Sequence, residues 1–101
     1  MDAISVYVVA ADEAEADRIA DALVAEHLAA CVNILGPIRS VYRWQGAVER
    51  ACEIALIAKS RAALFDRVAA CIRTHHSYEI PAIVAGDTGY LEWIAAETAP
   101  V

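Results

Sequence analysis

The chain has no apolar run long enough to cross a bilayer as a helix. Such a span needs about 20 apolar residues in a row, and charges interrupt every run among these 101 residues well before that. Basic residues are scarce. Arg18, Arg39, Arg43, Arg50, Lys59, Arg61, Arg67 and Arg73 are scattered and make no basic stripe. Neither a nucleic acid nor a membrane is therefore expected as a partner. Cys31, Cys52 and Cys71 are odd in number and far apart, without a CxxC pair or a disulfide framework. Reduced thiols in a reducing compartment are the expectation. The first residues, MDAISVYVVAADEAEAD, lack the basic start of a signal peptide and turn acidic at once. A cytoplasmic location follows as the expectation. There is also no glycine-rich loop before the first helix. The turn there is Ala10-Ala11-Asp12-Glu13, and its two acids would repel a phosphate. No serine, cysteine or histidine triad emerges from local motifs, so no enzymatic activity is expected.

What the chain does have is apolar surface. Its hydrophobic fraction is 59 %, above the usual range for a soluble chain. Residues 1–101 make one domain, and so small a domain cannot internalise all of that surface. An oligomer buries the excess most simply. The net charge of −6 keeps such a protein soluble, and its field also concentrates cations.

One stretch organises the rest: Cys31 to Gly46, CVNILGPIRSVYRWQG, with no charge before Arg39. Cys31 to Leu35 is almost wholly apolar, as in a buried strand. Gly36-Pro37 bends the run. From Ile38 the strand alternates, with Val41 and Arg43 on one face and Tyr42 and Trp44 on the other. Gln45-Gly46 ends it, and Glu49 to Lys59 reads as the returning strand. This bent hairpin is too much apolar edge to leave in water, so it calls for another copy of the chain.

The other elements follow in order. Ile4 to Val9 reads as a strand. Asp12 and Glu15 make a capping-box pattern before a helix over Glu13 to Ala29, with Ala16, Ile19, Ala20, Leu23, His27 and Leu28 on its inner stripe. Ser60 is placed to cap a second helix that buries Leu64, Phe65, Val68, Cys71 and Ile72 and ends around Thr74 to His76. Ile80-Pro81 favours extended backbone, Ile83 to Ala85 is a short strand, and Gly86-Asp87-Thr88-Gly89 is a loop. Tyr90 to Glu97 is a final helix carrying Leu91, Trp93 and Ile94. Two strand–helix–strand units joined by a hairpin give an α+β, ferredoxin-like βαββαβ sandwich with a long bent β2–β3 hairpin and an extra C-terminal helix. The aromatic strand then lies on the sheet edge, and pairing around a rotational axis would cover it.

His75 and His76 are the candidate metal ligands, because imidazole suits copper, zinc and nickel. Neighbours on a helix point about 100° apart, so both reach one ion only if the helix has frayed there. Histidines at a helix C-terminus also serve the helix dipole. Tyr78 and Glu79 follow and are candidates for a polar crevice. Cys31, Cys52 and Cys71 read as small buried hydrophobes. Val41, Tyr42, Trp44 and Trp93 are expected in the core and at a subunit interface, where aromatics concentrate.

The blocks ACVNILGPIRSVYRWQG, EIALIAKS, HHSYEIPAIVA and GDTGYLEWI, in this order, resemble the CutA family of divalent-cation tolerance proteins. The resemblance covers nearly the whole chain. It implies a ferredoxin-like, non-enzymatic homotrimer associated with tolerance to copper and other divalent ions, some members binding copper. Copper(II) or another divalent cation is thus the implied ligand, and Tyr78 and Glu79 the implied cleft residues between subunits. Two departures stand out. The family's HPYE reads HSYE, with Ser77 in place of the proline, and a looser turn is expected. The first strand, SVYVVAA, lacks the cysteine that some members use for copper. A second function, a trimeric regulator of the PII type with a small ligand between subunits, rests on architectural analogy alone. An acylphosphatase-like role would need Arg18 and Asn33 without a phosphate-cradling loop.

Overall fold

Alternation along the first strand decides how the sheet is used. In the computed structural model, which describes residues 2–79, 81–85 and 88–100, β1 (Ala3–Ala10) buries Val6, Val8 and Ala10 on one face. Its antiparallel partner β3 (Ala47–Arg61) sets Ala58, Leu56 and Ile54 directly opposite them. Two helices, α1 (Glu13–Ala25) and α2 (Phe65–His75), cover this face with Ile19, Leu23, Val68 and Ile72. With β2 (Cys31–Trp44), β4 (Ala82–Val84) and α3 (Thr88–Glu97), the chain forms a four-stranded antiparallel sheet in the order β2-β3-β1-β4. This is the ferredoxin-like arrangement of an α+β sandwich, with β2 on the edge as expected. Ile80, Gly86 and Asp87, expected in extended backbone and a loop, lie outside the described residues.

Helix α1 starts as its pattern predicts. Asp12 is extended, and its carboxylate accepts the Glu15 N–H at 2.8 Å. The Glu15 carboxylate reaches back to the N–H of Ala11, also at 2.8 Å, one residue beyond the usual capping box. The helix ends at Ala25, four residues before the expected Ala29. His27 turns left-handed, with φ 59°. The N–H of Leu28 then donates to the Leu23 carbonyl at 2.9 Å, and that of His27 to the Val24 carbonyl at 3.1 Å. This is a Schellman closure, normally built on glycine, with Leu28 packing back beside Leu23 in the core. His27 therefore leaves the inner stripe and stands exposed.

Ser60 does not cap the second helix. It lies in β3 and donates its hydroxyl to the Leu28 carbonyl at 2.6 Å. A single 3-10 turn, Ala62–Leu64, leads into α2 instead, without a side-chain cap at its start. The inner face is close to the one expected: Val68, Ala69, Cys71 and Ile72 are buried, and Leu64 and Phe65 pack against them.

The hairpin is closed by Gln45 and Gly46, both at positive φ (49° and 81°), as a two-residue primed turn requires. Further back, β2 is interrupted by a bulge. Ile34 pairs with Leu56 and Gly36 with Ala55, so Leu35 is the extra residue, and Gly36 adopts φ 98°. One extra residue reverses which face every later side chain takes. Val32 and Ile34 share the helix-covered face with Ala58 and Leu56, whereas Ile38, Ser40, Tyr42 and Trp44 share the opposite face with Glu53, Ala51, Glu49 and Ala47. Pro37 is accommodated because β2 is an edge strand.

Strand β1 pairs with β3 only from Ile54 to Arg61. Residues 38–53 therefore project beyond the main sheet as a two-stranded arm, and the molecule is 43 Å long against 27 and 20 Å in its other dimensions. Ile34, Leu35, Val41 and Val48 lie 43–60 % exposed on this hairpin. Cys52 is exposed on the arm too, correcting the expectation that all three cysteines are buried, because the helix layer does not reach that far.

Two substitutions test these local devices. Deleting Leu35 removes the bulge and turns Tyr42 and Trp44 toward the helix side, so the near-ultraviolet circular dichroism of the two tryptophans should collapse. An unchanged spectrum would contradict the face assignment. His27→Gly relieves a left-handed non-glycine residue and should raise stability by about 1 kcal/mol in urea unfolding. A loss of stability would contradict the Schellman reading.

Candidate functional site

Two groups of polar side chains converge, one running from the helix layer to the uncovered face of the sheet and one within the helix layer. The first begins at Glu15, which is 1 % exposed. The first turn of α1 carries it to the segment after α2. Its carboxylate accepts the N–H of Ser77 at 2.8 Å as well as that of Ala11. His76, the residue just past α2, lies alongside with its side chain fully buried, Nδ1 3.5 Å from the carboxylate. The Tyr78 N–H donates to that same Nδ1 at 3.1 Å, and Nε2 lies 2.6 Å from the Val9 carbonyl. Nδ1 therefore accepts, and Nε2 carries the proton that it donates to Val9. Burial pushes the Glu15 carboxyl upward, but the N–H of Ala11 and the hydrogen bonds from Ser77 outweigh it and hold the group below its ordinary value.

From there the chain crosses to the uncovered face of the sheet. The Tyr78 hydroxyl donates to the Glu53 carboxylate at 2.7 Å. Burial, and then the carboxylate it donates to, push this phenol well above its ordinary range. Glu53 itself is 7 % exposed, an unusual place for an acid in the middle of a strand. Tyr78 and Glu53 line a cleft of about 670 Å³ together with Tyr42, Trp44, Glu79 and Trp93. The rings of Trp44 and Trp93 stand 6.5 Å apart, and Arg43 on β2 meets Glu97 on α3 at 3.3 Å. The cleft thus joins a carboxylate, a phenol and an aromatic wall, and it opens at the root of the projecting arm.

The second group lies in the helix layer. Cys71 and His75 are four residues apart on α2, hence on one face of it. Glu26, the C-cap of α1, joins them, and one donor atom from each of the three lies within 4.8 Å of the other two. The Cys71 thiol donates to the Glu26 carboxylate at 3.5 Å. Burial first, and then this acceptor and its charge, push the thiol up to about 11.

The expected residues are thus divided. His75 and His76 do not share one position: His75 joins Cys71 and Glu26, while His76 is turned inward with both ring nitrogens engaged. Tyr78, Glu79, Tyr42, Trp44 and Trp93 do converge, with Val41 at the same cleft. Cys31 is half-buried in β2, near the Asn33 side chain at 3.8 Å. Arg18 and Asn33 are both exposed. Sequence reasoning missed Glu15, Glu26 and Glu53 as partners. The Cys71–His75 spacing was a usable signal, whereas nothing local marks Glu26 or Glu53. Among the described residues, no helix is long and apolar enough to cross a membrane.

The model of the CutA1 divalent ion tolerance protein family matches residues 4–97. The chain belongs to that family. It is 38 % identical over 100 residues to "Protein CutA 1, chloroplastic" of Oryza sativa, a match that covers 94 % of this chain and 56 % of that protein. The chain therefore spans a little over half the length of such plant relatives. It is 35 % identical over 100 residues to the "Divalent-cation tolerance protein CutA" of Citrobacter koseri, covering 94 % of this chain and 87 % of that one. The solved structure of the "Periplasmic divalent cation tolerance protein CutA" of Archaeoglobus fulgidus superposes with a TM-score of 0.77 at 38 % identity, covering 94 % and 97 % of the two chains. Against the CutA motif, Ser77 now has a physical reading. Its N–H is bonded to buried Glu15, a bond that a proline at this position has no hydrogen to make. The turn expected to be looser is tied to α1.

The Glu15 linkage has a definite sign. A carboxyl held below its ordinary value stabilises the fold above about pH 4.5 and loses that contribution as pH falls through the lowered value. Glu15→Gln should destabilise the fold at neutral pH, and the difference from wild type should shrink as pH falls below about 4.5 and through the lowered value. Urea unfolding at neutral and at acid pH checks this. An equal deficit at both would show that the charge of Glu15 is not what stabilises the fold.

Proposed function

We propose that this CutA-family chain is a non-enzymatic homotrimer that binds copper(II) or another divalent cation and contributes to tolerance of such ions. The observation that carries the reading is the family match across residues 4–97, to relatives named for divalent-cation tolerance. The shape of the chain supports the assembly. An edge strand of 14 residues ends in an arm that, among the described residues, β1 does not reach, and a two-stranded ribbon is marginal alone in water. Val41, Tyr42, Trp44 and Trp93 are the side chains that this reading assigns to the trimer contact. Tyr78 and Glu79 are assigned to the clefts between subunits. Of the two histidines, His75 is kept as the ligand, because the ring nitrogens of His76 already serve the fold.

The cleft itself favours a second reading. Its aromatic wall and buried carboxylate suit a small organic ligand, as a PII-like trimeric regulator would use. The three free cysteines agree with a reducing, cytoplasmic compartment, while named relatives are chloroplastic in plants and periplasmic in Archaeoglobus fulgidus.

Light scattering after size exclusion, at dilute protein with and without copper(II), tests the assembly. A trimer in both conditions is expected. Val41→Glu puts a charge on the apolar arm and should give monomers, since burying an unpaired charge at a contact costs several kcal/mol. A wild-type monomer in both conditions would overturn the trimer. Failure of copper(II) and zinc(II) to raise the melting temperature, with a shift from a nucleotide or other metabolite instead, would favour the regulator.

A further inference from the structure

The cluster on the helix layer has a chemistry that the cleft lacks. It brings together one thiol, one imidazole and one carboxylate, contributed by two different helices. We propose that Cys71, His75 and Glu26 form a binding site for a divalent transition-metal ion, zinc(II) or a close analogue, on the face of the sheet opposite the cleft. This deepens the divalent-cation reading by naming residues, and rests on that reading only for the class of ligand. It does not need the trimer, because all three donors come from one chain.

Three observations support the assignment. The first is the frame. Cys71 and His75 stand one helical turn apart on α2, so their side chains emerge from the same face and can grip one ion without unwinding the helix. Glu26 is delivered by the Schellman turn that stops α1 at Ala25, where the left-handed His27 redirects the chain. Had α1 continued to Ala29, Glu26 would be an interior helical residue and not its cap.

The second is distance. Around a tetrahedral zinc ion, with metal–donor bonds of about 2.0 to 2.3 Å, donor atoms sit about 3.3 to 3.7 Å apart. Cys71 Sγ and Glu26 Oε2 are already 3.5 Å apart. All three donors lie within 4.8 Å of one another, so closing on an ion takes a movement of about 1 Å. Glu26 is exposed and His75 half-buried, and both have room to make it.

The third is donor type. A thiolate with an imidazole selects zinc, copper and similar ions over magnesium and calcium, which prefer all-oxygen shells. Three protein donors leave a fourth position for water or an exchangeable ligand, so the site suits an ion that is passed on. On binding, the thiol proton now donated to Glu26 leaves to solvent, and both the sulfur and the carboxylate turn to the metal.

Cobalt(II) is the probe of choice, because it reports thiolate ligation by absorption and does not oxidise thiols. Titrating the 101-residue chain with cobalt(II) should give one equivalent per chain, a thiolate charge-transfer band in the near ultraviolet and visible bands of tetrahedral intensity. Zinc(II) should abolish them by competition. Cys71→Ser should remove the charge-transfer band. Because Cys71 is buried, His75→Ala and Glu26→Gln at less buried positions carry the test independently of folding. Each should weaken cobalt(II) binding by at least about tenfold, since loss of an outer-shell partner alone typically costs about 10- to 100-fold. Cys31→Ser and Cys52→Ser should bind like wild type. No charge-transfer band in the wild type overturns the inference, as does a band that vanishes with Cys31→Ser or Cys52→Ser and survives Cys71→Ser. Cobalt(II) binding that is lost in Glu53→Gln but intact in His75→Ala and Glu26→Gln would also overturn it, by moving the ion to the cleft while leaving the divalent-cation reading in place.

Discussion

Strand β3 holds β1 on one side and β2 on the other, and the two pairings use it differently. Along β1 the register is unbroken, and Ile54, Leu56 and Ala58 deliver one face to the helices. Along β2 the register slips by one residue at Leu35, and from there the two faces of β2 exchange roles. Because side chains alternate with a strict period of two, no gradual twist could achieve this. The bulge lets one edge strand contribute Val32 to the core and, beyond the bend, Tyr42 and Trp44 to the cleft. Gly36 at positive φ makes the local backbone feasible. The aromatic cleft, the projecting arm and the proposed subunit contact all lie downstream of this irregularity.

The opposite face is organised by a buried acid. Glu15 caps its own helix, accepts the N–H of Ser77 just past the other, and sits beside an imidazole bonded to β1. Three elements thus meet on one carboxylate. Desolvating it is costly, and the backbone N–H groups are what make it tolerable as an anion. This arrangement withdraws His76 from solvent. The following residues then lead to the uncovered face, where the Tyr78 hydroxyl is fixed on Glu53. Cap, turn and cleft are successive parts of one hydrogen-bonded chain.

Much of this was legible beforehand. The strands, the two covering helices, the edge position of β2 and the Asp12–Glu15 cap follow from periodicity and cap chemistry, and all are present. The apolar spacing of α1 continues through His27 to Leu28, and spacing alone cannot distinguish a helical residue from one that folds back onto the last turn. Ser60 reads as a cap in any linear scan, yet its hydroxyl goes to Leu28, 32 residues away. Adjacent histidines look like a pair in sequence. On a helix end they point apart, and one was claimed by the β1 backbone.

The sequence by itself determined the fold class, the edge strand and the excess apolar surface. These depend on local period, turn residues and composition, which a linear chain carries explicitly. Only the tertiary structure decided which polar groups meet. Glu53 faces Tyr78, and Glu26 faces Cys71 and His75, across separations of 25 and 45 residues. Such meetings depend on where α1 stops, how it packs on α2 and which face β2 presents after one extra residue. Each is a long-range geometric outcome, and no local pattern around Glu26 or Glu53 announces it.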